Sequence, residues 1–262
     1  MPHLLVERIR SVPLIFAQRW SRSNATCAYL VEFLDIFAGF LFLAGSVCFM
    51  PAFGNRIGIF LVGCSLFVIG SAVYTGISLF TLAEAIREKG SYTFEACENG
   101  LYVAGSLAFL IGTILYWPNS KYYINLKWAK AFSLGAYFNW FSPEFEGSLL
   151  FIGGSLLFAA AAFINGLSQR CFQSTESRML TATTSLYMAG SLFYVMGSVA
   201  FLPELGCNTL MIALGAWCFV IGSALFIVGG FISLLRTSRS LKNPENAPLK
   251  DVDGGISIEN KL

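Results

Sequence analysis

The residues of this chain that could do chemistry are few and stand apart in the sequence. Three acids, Glu32, Asp35 and Glu84, lie beside long apolar segments, and the single histidine is His3, near the N-terminus. A charge at the centre of a bilayer costs about 2.5–3.5 kcal/mol or more, so an acid there usually marks an ion path, a proton relay or a substrate site. The three acids are predicted near segment ends, where they reach water. A solvated or interfacial role is therefore favoured over a relay, and Asn165, the most interior amide, is interpreted as a helix cap.

No arrangement of nucleophile, base or metal ligand is visible. The chain lacks a G-x-S-x-G elbow, an H-E-x-x-H pair, a phosphate-binding loop and a dinucleotide fingerprint. Its seven cysteines include no C-x-x-C pair, so neither a disulfide framework nor a zinc site is predicted. Glu84 also belongs to a predicted hydrated loop, as do three further acids, Glu88, Glu95 and Glu98. We expect no enzyme activity, no cofactor and no metal.

The composition indicates a membrane protein. Apolar residues make up 56% of the 262 residues and charged residues 12%, against roughly 45–50% and 25% in soluble domains. Residues 57–83 and 209–235 contain no charged side chain, and each run exceeds the roughly 20 residues that cross a bilayer as a helix. No basic block is dense enough to suggest nucleic acid, so the lipid bilayer is the partner that composition implies.

One spacing of small residues, aromatics and proline occurs three times. Its first part reads small-x6-Gly-Ser/Thr-x2-aromatic-x-Pro, at residues 38–51, 105–118 and 190–203. Its second part reads Gly-x3-Phe-x2-Gly-Ser, at residues 63–71, 147–155 and 215–223. Proline ends the first helix of each pair because it lacks an N–H and restricts the residue before it. Each copy is therefore predicted to be a helical hairpin.

The predicted fold is an all-α integral membrane protein of six transmembrane helices, arranged as three parallel tandem hairpins. The predicted spans are residues 32–50, 57–83, 99–117, 147–167, 182–202 and 209–235. The predicted units are a basic N-terminal arm at 1–31, interfacial or a targeting peptide; repeat 1 at 32–90; repeat 2 at 98–170, with an aromatic insertion at 119–146; repeat 3 at 181–236; and a disordered tail at 237–262.

Each predicted span carries two small residues seven positions apart, which places them on one helix face. Close backbone approach drives helix association in lipid, so helix packing is predicted for Gly45, Gly63, Gly70, Gly105, Gly112, Gly147, Gly154, Gly190, Gly197, Gly215 and Gly222. A hydroxyl residue follows one glycine of each pair: Ser46, Ser71, Thr113, Ser155, Ser198 and Ser223. Hydrogen bonds between helices are their favoured role, and the lining of a polar path is the alternative.

These hairpins resemble the YrhK-like domain, a small two-helix membrane module. The resemblance rests on G-S-x-x-F-x-P, a short turn and G-x-x-x-F-x-x-G-S, and it covers roughly residues 32–235. It is weaker in the second copy, whose connection is longer. The resemblance implies the fold and, because that family has no established activity, it transfers no catalytic residue.

The insertion is rich in aromatic residues and lysine. Its side chains suit the headgroup zone of a membrane; the alternatives are a partner-docking surface or a lid over a central cavity, with Tyr122, Tyr123, Trp128 and Trp140 as the residues concerned.

Basic residues near the membrane are unequally distributed. Eleven lie on the side predicted to hold both termini: Arg8, Arg10, Arg19, Arg22, Arg87, Lys89, Arg170, Arg178, Arg236, Arg239 and Lys242. Four lie on the other side: Arg56, Lys121, Lys127 and Lys130. The positive-inside rule places the termini in the cytoplasm, or in the matrix or stroma of an organelle.

Two functions from different classes remain. The first is a non-enzymatic scaffold or assembly subunit with a membrane-protein partner or a second copy of itself, suggested by the packing signatures. The alternative is a channel or carrier for a small neutral solute, along a path lined by serine and glycine.

Overall fold

The computed structural model describes residues 14–54, 56–89, 94–117, 143–168, 175–202 and 209–242. These residues form six long α-helices and one short helix, and no strand occurs among them. The helices are α1 Leu14–Cys48, α2 Pro51–Gly54, α3 Ile57–Lys89, α4 Phe94–Leu115, α5 Pro143–Ser168, α6 Thr175–Ala200 and α7 Thr209–Lys242.

The outer helix ends differ most from the sequence prediction. Helix α1 begins at Leu14, so residues 14–31 of the predicted arm continue into the first span as one helix. No proline or glycine occurs between Leu14 and Ala38, so nothing in that stretch interrupts the backbone hydrogen bonds. Helix α7 likewise continues to Lys242, past the start of the predicted tail at 237. Residues 1–13 and 243–262 lie outside the described residues.

Five of the long helices are long and apolar enough to cross a membrane. The segments concerned are Ala25–Cys48, Ile57–Arg87, Glu95–Leu115, Phe145–Gly166 and Thr209–Leu241. Helix α6 is not among them, because eight of its 26 residues are serine or threonine. Six crossings therefore remain a prediction.

The six long helices form a closed ring. Each packs against the long helix that follows it in the chain, and α7 packs against α1. Large apolar side chains point outwards from the ring; Ile57, Leu210 and Phe33 are each more than 60% exposed. An apolar exterior of this kind suits a lipid environment.

Glycines stand where paired helices come closest. A Cβ added at Gly105 would lie 3.0 Å from the Gly154 carbonyl oxygen, and one at Gly112 would lie 3.0 Å from that of Gly147. The order of the contacts is reversed between the two helices, so α4 and α5 are antiparallel. Helices α6 and α7 make the same two contacts, with 3.0 Å from Gly190 to the Gly222 oxygen and 3.0 Å from Gly197 to that of Gly215. In helices α1 and α3, a Cβ at Gly45 would lie 3.1 Å from the Gly63 oxygen.

Six aromatic side chains, one from each long helix, form the core of the helix ring. Phe42, Phe109 and Tyr194, from α1, α4 and α6, form a triangle with centroids 5.6–6.3 Å apart. The rings of α3, α5 and α7 form a second triangle with centroids 6.1–6.4 Å apart: Phe67, Phe151 and Phe219. The two triangles are in contact through pairs of rings from paired helices, at 4.9–5.1 Å. Together they are called the aromatic plug below.

Each ring of the plug rests on a glycine of the paired helix. An added Cβ would lie 2.6 Å from the Phe67 ring at Gly45, 2.8 Å from the Phe109 ring at Gly154 and 2.7 Å from the Tyr194 ring at Gly222. The other three rings rest in the same way, Phe42 on Gly70, Phe151 on Gly112 and Phe219 on Gly197. Each aromatic ring therefore occupies the space that a side chain at the glycine position would need.

Two adjacent glycines of α5 test this packing directly. Gly154→Ala would place a methyl group against Phe109 and the Gly105 backbone, whereas an added Cβ at Gly153 meets nothing within 4 Å. We expect Gly154→Ala to lower the free energy of unfolding by about 1–3 kcal/mol, and Gly153→Ala to raise it by up to about 1 kcal/mol, since alanine favours helix. Unfolding in detergent micelles would measure both. Equal stability of the two variants would contradict the packing role.

Candidate functional site

A polar cavity lies inside the helix ring, on the side of the aromatic plug that faces the N-terminal half of α1 and the C-terminal half of α7. Its volume is about 50 Å³, enough for several water molecules at roughly 10–15 Å³ each. Phe42, Phe109 and Tyr194 of the plug line its inner end. On the other side of the plug, Phe67, Phe151 and Phe219 line a second, apolar cavity of about 30 Å³. The plug thus separates two cavities along the axis of the helix ring.

Asp35 lines the polar cavity from within a candidate membrane segment. The segment begins at Ala25, ten residues earlier, or about 15 Å along the helix. The Tyr187 hydroxyl donates a hydrogen bond of 2.6 Å to Asp35 Oδ2, and Tyr74 lines the same cavity. The expected position of Asp35 at a segment end is therefore wrong, since ten residues of the segment precede it.

Asp35 occupies a position that is tyrosine in the two equivalent helices. It stands seven residues before the plug residue Phe42, as Tyr102 and Tyr187 stand before Phe109 and Tyr194. A tyrosine near the end of a membrane segment is typical of an anchor at the membrane surface. Tyr102 and Tyr187 instead line the cavity, which four tyrosines and two carboxyl side chains share.

Glu32 links α1 to α7 and so closes the helix ring. The Ser233 hydroxyl donates to Glu32 Oε1 at 2.8 Å, and the Thr237 hydroxyl donates to the same oxygen at 2.7 Å. The Glu32 side chain is 1% exposed. The expectation that it reaches bulk water is wrong, because α7 extends far enough to cover it.

A second buried acid links α4 to α5. The Asn165 amide donates to Glu98 Oε1 at 2.7 Å, and Glu98 is 3% exposed. Glu98 was predicted in a hydrated loop, but α4 begins at Phe94 and carries it into the helix ring. Asn165 was interpreted as a helix cap, and in the structure its amide joins two helices.

Two glycines of α7 that the sequence interpretation did not single out make room for the polar groups. A Cβ at Gly229 would lie 2.6 Å from the Tyr187 ring, and one at Gly230 would lie 3.2 Å from Asp35 Oδ2. The Gly229-Gly230 pair stands seven and eight residues after Gly222. The sequence could have indicated these two glycines, because they continue the seven-residue spacing of small residues beyond Gly222.

Most of the hydroxyls beside the packing glycines do not join helices. Thr113, Ser155 and Ser198 donate to the carbonyl four residues earlier in their own helix, at 2.7–2.8 Å. Ser46 and Ser223 do the same, and they also approach each other across α1 and α7 at 3.4 Å. The favoured role between helices is therefore wrong for Thr113, Ser155 and Ser198.

Ser71 differs from its two counterparts in the spacing. Ser155 and Ser223 donate to their own helix, whereas the Ser71 hydroxyl is buried, at 0% exposure, without a hydrogen-bond partner among the described residues. Thr183, 6% exposed, is in the same situation. Both residues line the polar cavity. Because a buried hydroxyl without a partner costs about 1–3 kcal/mol, these two favour a polar occupant.

The predicted packing glycines lie at contacts between paired helices. These residues are Gly45, Gly63, Gly70, Gly105, Gly112, Gly147, Gly154, Gly190, Gly197, Gly215 and Gly222. The predicted aromatic surface of Tyr122, Tyr123, Trp128 and Trp140 lies outside the described residues.

A family model described as YrhK-like protein matches residues 178–238. The matched residues cover most of α6 and α7, which hold Tyr187, Tyr194 and the plug residue Phe219. Comparison with curated proteins and with solved structures gave no significant match.

Removal of the Glu32 carboxylate tests the closure of the helix ring. Glu32→Ala would leave the Ser233 and Thr237 hydroxyls without their shared acceptor, so we expect the free energy of unfolding in micelles to fall by about 2–4 kcal/mol. Glu32→Gln keeps one acceptor oxygen and should lower the free energy of unfolding by less than Glu32→Ala does. A double-mutant cycle of Glu32→Ala with Ser233→Ala should give a coupling energy, and strict additivity of the two effects would contradict the link.

Proposed function

From the match of residues 178–238 to the YrhK-like family model and from the polar cavity, we propose that this chain is a non-enzymatic, multi-pass membrane carrier or channel that admits a small solute. The observation that carries the proposal is a polar cavity inside an apolar helix ring, closed at its inner end by the aromatic plug. A polar site inside a helix ring, occluded at the middle of the ring, suits a protein that takes up a small solute.

The proposal includes three tandem hairpins and six crossings. Helix α6 has 26 residues, a length of about 39 Å, against about 30 Å for the hydrocarbon core. It packs between α5 and α7 in the helix ring, and its Tyr194 completes a triangle of the plug. Several of its hydroxyls donate to its own carbonyls or line the cavity, and this placement spares them contact with lipid. These features support a sixth crossing.

The proposed orientation places both termini on the cytoplasmic side, or on the matrix or stromal side of an organelle. The argument is the excess of eleven basic residues over four described above. On this orientation the polar cavity faces the cytoplasm, matrix or stroma.

The scaffold prediction loses much of its support. It rested on the glycine signatures, and the contacts of these glycines lie within the chain. They therefore do not call for a partner subunit, and the exposed apolar side chains are those that lipid requires.

The non-enzymatic part of the proposal rests on the sequence, in which no known catalytic motif is visible. The lining hydroxyls and carboxylates suit binding and orientation of a solute.

Topology mapping distinguishes six crossings from five. With six, reporters fused to the N-terminus and after Lys242 should lie on the same side of the membrane, and a reporter inserted at Arg56 should lie on the opposite side. With five, the terminal reporters would lie on opposite sides. Protease protection of the reporters in sealed vesicles measures this, and terminal reporters on opposite sides would contradict the proposal.

Cysteine accessibility tests whether the cavity opens to one side only. In a full chain with its native cysteines replaced, Thr184→Cys lies in the polar cavity and Ser148→Cys in the apolar one. Aminoethyl methanethiosulfonate added from the side of the termini should modify Thr184→Cys and spare Ser148→Cys, because the plug lies between them. Leu192→Cys, on the exposed face of α6, is the control for reaction from lipid. Equal modification of the cavity positions, or none at Thr184→Cys, would overturn the proposal.

A further inference from the structure

We propose that the solute of the polar cavity is a small alkylammonium cation, whose nitrogen binds Asp35 and whose carbon atoms contact the surrounding aromatic rings. This inference rests on the proposed function and replaces the neutral solute considered from the sequence alone. Its basis is the combination of the Asp35 carboxylate, a wall of aromatic rings and two buried hydroxyls without partners among the described residues, in one small cavity.

The carboxylate of Asp35 retains acceptor capacity. An ionised carboxylate offers about four lone-pair sites, and the Tyr187 hydroxyl occupies one of them. Sites therefore remain for the N–H groups of a bound ammonium.

Two other charged side chains line the cavity. They are Glu32 and Arg236, beside Asp35. Glu32 already accepts two hydrogen bonds from α7, and Glu98, held by Asn165, is not among the lining residues. Asp35 is thus the acid best placed to bind the cation.

Aromatic residues supply the rest of the wall. Eight of the 21 lining residues are phenylalanine or tyrosine: Phe42, Tyr74, Tyr102, Phe109, Phe158, Tyr187, Tyr194 and Phe226. An organic cation gains from the negative face of such rings, and its carbon atoms gain from their apolar surface. A strongly hydrated metal ion would lose its water against the same rings. The wall therefore favours an alkylammonium over an inorganic cation.

The two unpartnered hydroxyls match the remaining donors. A primary ammonium has three N–H donors, and Asp35, Ser71 and Thr183 each present oxygen to the same cavity. The volume of about 50 Å³ corresponds to about three to five non-hydrogen atoms, on the basis of roughly 10–15 Å³ for each water-sized group. Ethylammonium, with three such atoms, fits this limit.

Calorimetric titration of the folded full chain in micelles with ethylammonium chloride tests the proposal. Ethanol, a neutral molecule with the same number of non-hydrogen atoms, is the comparison ligand. We expect ethylammonium to bind at least about tenfold more tightly than ethanol, and Asp35→Asn to remove this difference, because the charge-assisted contact is lost.

Two serine variants keep the test valid if Asp35→Asn fails to fold. Ser71→Ala removes an unpartnered hydroxyl of the cavity and should weaken ethylammonium binding about threefold or more. Ser155→Ala removes the counterpart hydroxyl, which donates to its own helix, and should leave binding unchanged.

Equal binding of ethanol and ethylammonium, no binding of ethylammonium, or displacement of ethylammonium by equimolar potassium would each overturn the cation proposal. Cysteine accessibility reports separately on the proposed function, because modification of Thr184→Cys depends on access to the cavity and not on Asp35. A cavity that is accessible but binds no ethylammonium would thus refute the ligand and leave the carrier or channel standing.

Discussion

The contact between an aromatic ring and a glycine of the paired helix is the interaction on which the rest of the structure depends. It occurs six times around the axis, as between Phe109 and Gly154 or between Phe67 and Gly45. Because glycine has no side chain, the ring can lie against the backbone of the neighbouring helix and still reach the axis. This arrangement brings the helices together, fills the middle of the helix ring and leaves space for a cavity on each side of the aromatic plug. A side chain at either glycine would force the ring or the helix to move.

The paired helices could be predicted from the sequence because their determinants are local. Proline and the seven-residue glycine spacing predicted the helix starts at Ile57 and Thr209. The plug residues were visible in the same spacing, four residues after the first small residue, as in Gly105 and Phe109. The sequence could not predict that all six aromatic rings point towards one axis, because this depends on the closure of the six helices into a ring. That closure is a tertiary property, set when α7 packs against α1.

The site was harder to predict, because its polar groups form hydrogen bonds with residues far away in the sequence. Glu32 is satisfied by Ser233 and Thr237, about 200 positions later, and Glu98 by Asn165. From the local sequence, an acid near the end of an apolar run is expected to face water. The sequence held one clue to the site: Asp35 stands at a position that is tyrosine in the two equivalent helices. It received a surface role because α1 was expected to begin at residue 32, and its earlier start at Leu14 places Asp35 well inside the segment.

The exchange of tyrosine for aspartate in one helix pair has a consequence for the evolution of such a site. A homotrimer of identical hairpins with this acid would carry three carboxylates around its axis, and their mutual repulsion would destabilise the assembly. With all three pairs on a single polypeptide, one pair can change while the others keep their aromatic hydroxyls. Asp35 then receives a hydrogen bond from Tyr187, the residue at its own equivalent position in another pair. Covalent fusion of similar units thus permits an asymmetric centre within a nearly symmetric frame.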